Sequence, residues 1–246
     1  MRRLALLVGS GALELPFDAV LEDVRDTPYG EASARPSRAA GRNFTVHVLA
    51  RHGVPHAVAP HLINYRANLH LLSGLGVEEI VALNTVGGIA AHARNGCIVV
   101  PDQLIDYTWG RAHSFAEPGD LKHVDFTEPY DGTLRAELLA AGRGQGLDVH
   151  DGGVYGCTQG PRFESPAEID RMDRDGCTVV GMTGMPEAGL ARELGIRYAS
   201  LCLVVNPAAG RGDAIDMDAI AVIAREGMEK VARLLGGFFE GIERGD

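Results

Sequence analysis

Four stretches of the chain pass from an apolar run into a glycine flanked by residues able to hold an anion. Residues 4–8 run into Gly9-Ser10-Gly11, and 46–50 run into Arg51-His52-Gly53. Residues 80–83 run into Asn84-Thr85-Val86-Gly87-Gly88, and 179–181 run into Met182-Thr183-Gly184. Each delivers a hydroxyl, an amide or a cation beside a glycine, whose missing Cβ lets backbone N–H groups approach a ligand. Together they suit an oxyanion such as phosphate, and Arg51 can hold one through two parallel hydrogen bonds. Taken singly, each has a plainer reading. Gly9-Ser10-Gly11 could be a tight turn, Arg51 a surface ion-pair residue, and Asn84, Thr85 and Thr183 turn or helix caps. Their common placement carries the argument. The stretch from Gly9 to Glu14 lacks the last glycine of a dinucleotide fingerprint, and no Walker-type lysine follows it.

These groups converge only if the apolar runs are strands of one open sheet, because such sheets bind ligands outside the carboxyl ends of their strands. Candidate strands fall at 4–8, 46–50, 80–83, 98–100, 154–157, 179–181 and 198–205. They are mostly continuous apolar runs, which suits strands covered on both faces. Helical patterns fall at about 61–75, 133–143, 166–174, 186–194 and 217–236. In the first, Leu62, Tyr65, Leu69 and Leu72 form one apolar stripe. Pro166 and Pro186 stand where a helix can open. Alternating strands and helices predict an α/β fold: a single domain over 1–246 with a twisted, mixed but mostly parallel central sheet flanked by helices. Residues 25–43 read as loops or an edge hairpin. Residues 106–131 read as a long loop of functional or interface type, and 210–218 as a polar, mobile segment.

The composition narrows the class. The 246 residues are 46% hydrophobic and 23% charged, ordinary for a soluble globular chain. Acidic residues number 33 against 23 basic ones, a net charge of -10 with no basic block, which argues against a nucleic-acid partner. No apolar run approaches the ~18 residues of a membrane helix, so no membrane partner is expected. The opening MRRLALLVGSG begins like a secretory leader, but its apolar stretch is short and breaks at Gly9. It reads as a first buried strand. The cysteines at 97, 157, 177 and 202 form no CxxC pair and read as structural thiols in a reducing cytoplasm. Their spacing supplies no zinc set, so no metal is expected.

Longer motifs add a resemblance. Arg51-His52-Gly53-x-x-His56 is followed by Pro60-His61-x-Ile63-Asn64-Tyr65-Arg66-Ala67-Asn68, and then by Asn84-x-Val86-Gly87. Further on come Thr158-Gln159-Gly160-Pro161-Arg162-Phe163-Glu164 and the run from Gly181 to Glu193, GMTGMPEAGLARE. In this order they resemble the trimeric purine nucleoside phosphorylase and methylthioadenosine phosphorylase family, from Leu4 to about Leu235. The resemblance implies a reaction of purine salvage in which phosphate attacks the anomeric carbon of a nucleoside and releases the free base, with inorganic phosphate as co-substrate and no cofactor. It implies that Ser10, Arg51, His52, Asn84, Thr85 and Thr183 surround the phosphate. Met182 would pack under the ribose and Phe163 against the purine. His123 would reach the 5′ end of the sugar in a neighbouring subunit of a homotrimer, the larger state of two trimers staying open. Met217, Ile220 and Ala221 would line the pocket for the 5′ substituent.

The substrate follows from two departures from a generic site. Asn206 closes the last strand, and its side-chain amide both donates and accepts. It can donate to purine N7 as charge grows there, which makes it, with Arg51 and His52, a catalytic candidate. Relatives acting on 6-aminopurines carry Asp here and two residues later, where this chain has Asn206-Pro207-Ala208. Amide plus alanine removes both acceptor charges and predicts a 6-oxopurine. Met217 and Ile220 predict an apolar 5′ pocket that favours methylthio over hydroxyl. Together they point to S-methyl-5′-thioinosine, with methylthioadenosine or inosine and guanosine as the alternatives, and with a hydrolase or a non-catalytic purine binder as the other classes.

Overall fold

The computed structural model describes residues 1–9, 18–121 and 123–245. Six strands come first: β1 (Arg2–Val8), β2 (Val20–Leu21), β3 (Asp26–Thr27), β4 (Gly30–Glu31), β5 (Ser37–Ala40) and β6 (Phe44–Ala50). A single 3₁₀ turn at Pro60–Leu62 leads to α1 (Tyr65–Gly74), β7 (Glu79–Gly88), β8 (Ile98–Val100) and β9 (Gln103–Asp106). The chain continues through α2 (Gly132–Gly144), β10 (Val149–Asp151), β11 (Val154–Cys157), α3 (Pro166–Arg174) and β12 (Cys177–Gly181). It finishes with α4 (Gly184–Glu193), β13 (Arg197–Pro207) and α5 (Met217–Arg244).

Among the described residues, eleven strands form one sheet, with β10-β8-β13-β7-β1-β6-β5-β2 as its main path and β9-β11-β12 branching from β7. The central pairs β6-β1, β1-β7 and β7-β13 are all parallel. The antiparallel pairs are β5-β6, β2-β5, β8-β13 and β12-β7. This is the mixed, mostly parallel sheet that the apolar runs predict. Its strands bury both faces: Leu4 and Leu6 of β1 pack with α2 and α5 on one side, while Ala5 and Leu7 pack with α1 and α4 on the other. Strands covered twice have no polar face, which is why their sequences do not alternate.

Local signals set the helix starts. Asn64 caps α1, its side chain accepting from the Ala67 N–H at 3.1 Å. Ser165 and Glu168 form a reciprocal capping box before Pro166. Pro186 opens the regular part of α4, and Met185 before it is extended, with φ -122° and ψ 141°, as a residue preceding proline prefers. The terminal helix runs on to Arg244, beyond the expected end near 236. Gly236-Gly237 weakens helix propensity there, but burial of Phe238, Phe239 and Ile242 against the sheet outweighs it. Residues 25–43 hold a hairpin, β3 with β4, plus β5, which lies between β6 and the terminal strand β2. The described residues of 107–131 carry neither helix nor strand. The segment expected to be mobile is tied down by Arg211, which pairs with Asp170 at 2.8 Å and Asp173 at 3.0 Å on α3. Among the described residues no helix is long and apolar enough to cross a membrane.

Close contact between α5 and β13 positions the helix start beside the strand ends. A Cβ on Gly227 would lie 2.5 Å from both terminal methyls of buried Leu203. Gly227→Val is therefore expected to lower stability by about 1–3 kcal/mol, read from the midpoint of urea unfolding.

Candidate active site

The carboxyl ends of β6, β7, β12 and β13 surround a cavity of about 310 Å³. Arg51 and His52 follow the last residue of β6, Asn84 and Thr85 stand on β7, and Met182 and Thr183 follow β12; all line it. Asn206 closes β13 at a register shift against β7 that pairs it with Gly87. Phe163 comes from the loop after β11, and Met217 and Ile220 from the first turn of α5. Three predicted residues stand apart. Ser10 lies outside the described residues. His123 is exposed and is not part of this lining. Ala221 is exposed as well and does not line the cavity: Met217 and Ile220, three apart on one helix face, reach the wall, and its single methyl does not.

Arg51 corrects the sequence expectation most sharply. Its side chain is fully buried, and its two-pronged edge grips the equally buried Glu187 of α4: Nε donates to Oε1 at 3.0 Å and Nη2 to Oε2 at 2.9 Å. Nη2 also donates to the Leu7 carbonyl at 3.1 Å, and Nη1 to the Leu83 carbonyl at 2.7 Å. Four of its five N–H groups are thus engaged, so the paired hydrogen bonds expected for phosphate are made to a carboxylate instead. One Nη1 hydrogen remains, beside Gly9, where a Cβ would come within 3.0 Å of Nη1. Tyr198 on β13 completes the cluster, its hydroxyl donating to Glu187 Oε2 at 2.8 Å. Burial acts to lower the guanidinium pKa, but the charge and hydrogen bonds of the Glu187 carboxylate outweigh it and hold the pKa above its ordinary value. Glu187 was hidden in the sequence because a glutamate in a helix start reads as a solvated residue.

A second network orients the hydroxyl–amide corner. Thr183 Oγ1 donates to Asn84 Oδ1 at 2.9 Å, and Asn84 Nδ2 donates to Ser200 Oγ at 2.7 Å. Thr183 precedes α4 but does not cap it; its hydroxyl serves this corner. An oxyanion placed here would compete with Asn84 for that hydroxyl proton. His52 Nδ1 lies 2.8 Å from the Val58 carbonyl. A carbonyl only accepts, so Nδ1 carries the proton and Nε2 presents a lone pair. Burial lowers the imidazole pKa to about 4, with Arg51 and His56 acting in the same direction, so His52 is neutral around pH 7.

The other end of the cavity combines polar recognition with apolar surface. Asn206 Nδ2 donates to the Pro207 carbonyl at 2.7 Å, which leaves one N–H and the amide oxygen for a ligand. Ala208 lines the wall as expected, but a carboxylate is present that sequence reasoning passed over: Glu164 lines the same cavity and accepts from Thr158 Oγ1 at 2.6 Å. The spacing from Phe163 could have found it. Met182 lies close over Gly160, where φ is +61° and a Cβ would fall 2.6 Å from its sulfur; only glycine suits both conditions. Met217 is 60% exposed and Phe163 40% exposed, so this apolar end opens toward solvent. The arrangement can hold an oxyanion through neutral donors at one end and a flat, polar-edged ring at the other.

A sequence model described as the phosphorylase superfamily matches residues 3–240. The chain is 47% identical over 235 residues to a probable S-methyl-5′-thioinosine phosphorylase from Pseudomonas syringae, covering 94% of this chain and 96% of that protein. It is 41% identical to a 6-oxopurine nucleoside phosphorylase from Pyrococcus furiosus, covering 96% and 91%. A solved structure of methylthioadenosine phosphorylase from Schistosoma mansoni in complex with adenine superposes with a TM-score of 0.92 at 29% identity, covering 100% of this chain and 93% of that one.

Two outcomes follow from these networks. Glu187→Gln leaves a buried guanidinium without its counter-charge and is expected to lose about 3–5 kcal/mol of stability, measured by denaturant unfolding. His52 titrates near 6.5 when unfolded and about 4 when folded, so its contribution to stability is complete above pH 6.5 and is lost as pH falls toward 4. Unfolding of the wild type and of His52→Gln across that range should show a shallower pH dependence for the variant.

Proposed function

The chain belongs to the phosphorylase superfamily, and from that premise we propose that it catalyses phosphorolysis of S-methyl-5′-thioinosine, giving hypoxanthine and 5-methylthioribose 1-phosphate. The observation that carries this reading is the order of groups along one cavity. Asn84 and Asn206 both line it, and Asn206 pairs with Gly87, three residues beyond Asn84 on β7. At about 3.3 Å per strand residue this is a separation of about 10 Å, room for a pentose between an oxyanion and a base.

In this assignment the phosphate sits at the Asn84, Thr85 and Thr183 corner, beside His52 and the remaining Nη1 hydrogen of Arg51, with Ser10 completing the set. A phosphate oxygen forms a bond to the anomeric carbon as the bond to purine N9 breaks, and the bonding pair moves onto the base. Positive charge on the sugar is stabilised by the phosphate beneath it, and Met182 forms the floor under the ring. Asn206 Nδ2 donates to N7 as negative charge builds there. The protein supplies position and hydrogen bonds rather than a covalent nucleophile.

Base choice follows from edges. Hypoxanthine presents a donor at N1, which the acceptor-only carboxylate of Glu164 can receive, whereas adenine presents a lone pair there and would face it acceptor to acceptor. Met217 and Ile220 offer apolar surface to a methylthio group. His123 serves the 5′ end of a neighbouring copy's substrate in a homotrimer. The chain acts as one domain, and its four free thiols fit the cytoplasm.

The test is base release from methylthioinosine, methylthioadenosine and inosine, each with and without phosphate. Methylthioinosine should give the highest kcat/KM, and only with phosphate. Equal release without phosphate would identify a hydrolase, and preference for methylthioadenosine would overturn the base assignment. Asn206→Asp should shift preference toward the 6-amino substrate. Glu164→Gln should reduce the 6-oxo preference about tenfold, the scale of one lost hydrogen bond to a charged group.

A further inference from the structure

The reaction outlined above draws only His123 from the stretch 107–131. Arg111, near the start of that stretch, has an acceptor for each of its five N–H groups. Nε donates to Gln159 Oε1 at 3.2 Å, and Nη2 to the Thr158 and Gln159 carbonyls at 3.2 and 2.9 Å. Nη1 donates to the Tyr65 hydroxyl at 3.1 Å and to the Met185 carbonyl. The guanidinium also lies 5.3 Å from the centre of the Tyr65 ring. All five acceptors are neutral oxygens, so charge pairing does not explain the choice of arginine. A planar fork with donors at fixed angles does.

Those acceptors belong to three pieces of the cavity wall. Thr158 and Gln159 begin the loop that brings Phe163 and Glu164 inward. Met185 is three residues past Met182. The Tyr65 hydroxyl passes the link on by donating to the Pro60 carbonyl at 2.8 Å, and Pro60 lines the cavity. Arg111 itself does not line it. We infer that Arg111 is a positioning residue for the nucleoside half of the site, holding the base wall of Phe163 and Glu164 against the Met182 floor without touching substrate. The phosphate corner has ties of its own, through Thr183, Asn84 and Ser200, whereas four of the five Arg111 donors go to the Tyr65 hydroxyl and the 158–159 loop start, so loss of Arg111 falls mainly on the nucleoside.

This inference rests on the phosphorolysis reading, so the wild type is measured first, followed by Arg111→Ala and Arg111→Lys with melting temperatures. In folded Arg111→Ala the nucleoside KM should rise about tenfold or more while the phosphate KM stays within about twofold. Added guanidinium ion should bring the nucleoside KM back toward the wild-type value. Lysine cannot reach the separate acceptors together and should behave like alanine without rescue, which keeps the test available if alanine does not fold. An unchanged nucleoside KM in a folded variant, or equal rises in both KM values, overturns the assignment. Absent or phosphate-independent base release by the wild type instead overturns the phosphorolysis reading. Arg111 is then judged by calorimetric hypoxanthine binding, where equal affinity of wild type and variant counts against it.

Discussion

The buried pairing of Arg51 with Glu187 is the constraint around which the rest is arranged. Removing a guanidinium from water is unfavourable unless its donors are matched in number and direction. Here the carbonyls of Leu7 on β1 and Leu83 on β7 take two donors, the α4 carboxylate takes two more, and Tyr198 on β13 orients that carboxylate. One side chain leaving β6 therefore registers three neighbouring strands and a helix at the level where the site begins. A buried ion pair of this kind is a weak source of net stability compared with apolar packing. What it supplies is geometry, because every partner is directional.

That arrangement shapes the electrostatics of the cavity. Arg51 is neutralised by Glu187, His52 is held uncharged by burial, and the carboxylate of Glu164 lines the cavity near Phe163. The chain as a whole carries -10. In the proposed assignment, anion binding would depend on short-range donors, the Thr183 hydroxyl, the Asn84 amide and the remaining Arg51 hydrogen, and not on a favourable long-range field. The Ser200–Asn84–Thr183 chain matters for the same reason: donors of fixed direction act at close range, where a net charge would act at a distance.

Much of the frame was legible. Runs such as 4–8 and 198–205 read as doubly covered strands because burial on two faces removes alternation. Pro166 and Pro186 marked helix starts because proline lacks the N–H that a first turn does not use. The end of α5 was missed because Gly236-Gly237 is a local signal, whereas the packing of Phe238 and Phe239 is a long-range one. The site residues at strand ends were legible as a set, since glycine beside a hydroxyl or amide has a local meaning. Glu187 and Glu164 were not, since a carboxylate's role depends on what faces it.

By itself, the amino-acid sequence determined the order of the main core strands and helices and the kinds of groups placed at the strand ends, because periodicity, proline and glycine act over a few residues; the short strands β2, β9 and β10 carry no such local signal. Only the tertiary structure decided how those groups are engaged. The partner of Arg51 lies 136 positions away and that of Asn84 lies 116 away, and pattern within a segment carries no information about contacts across such distances. Direction of hydrogen bonding, which separates a residue that can grip an anion from one that holds the fold, exists only once those segments meet.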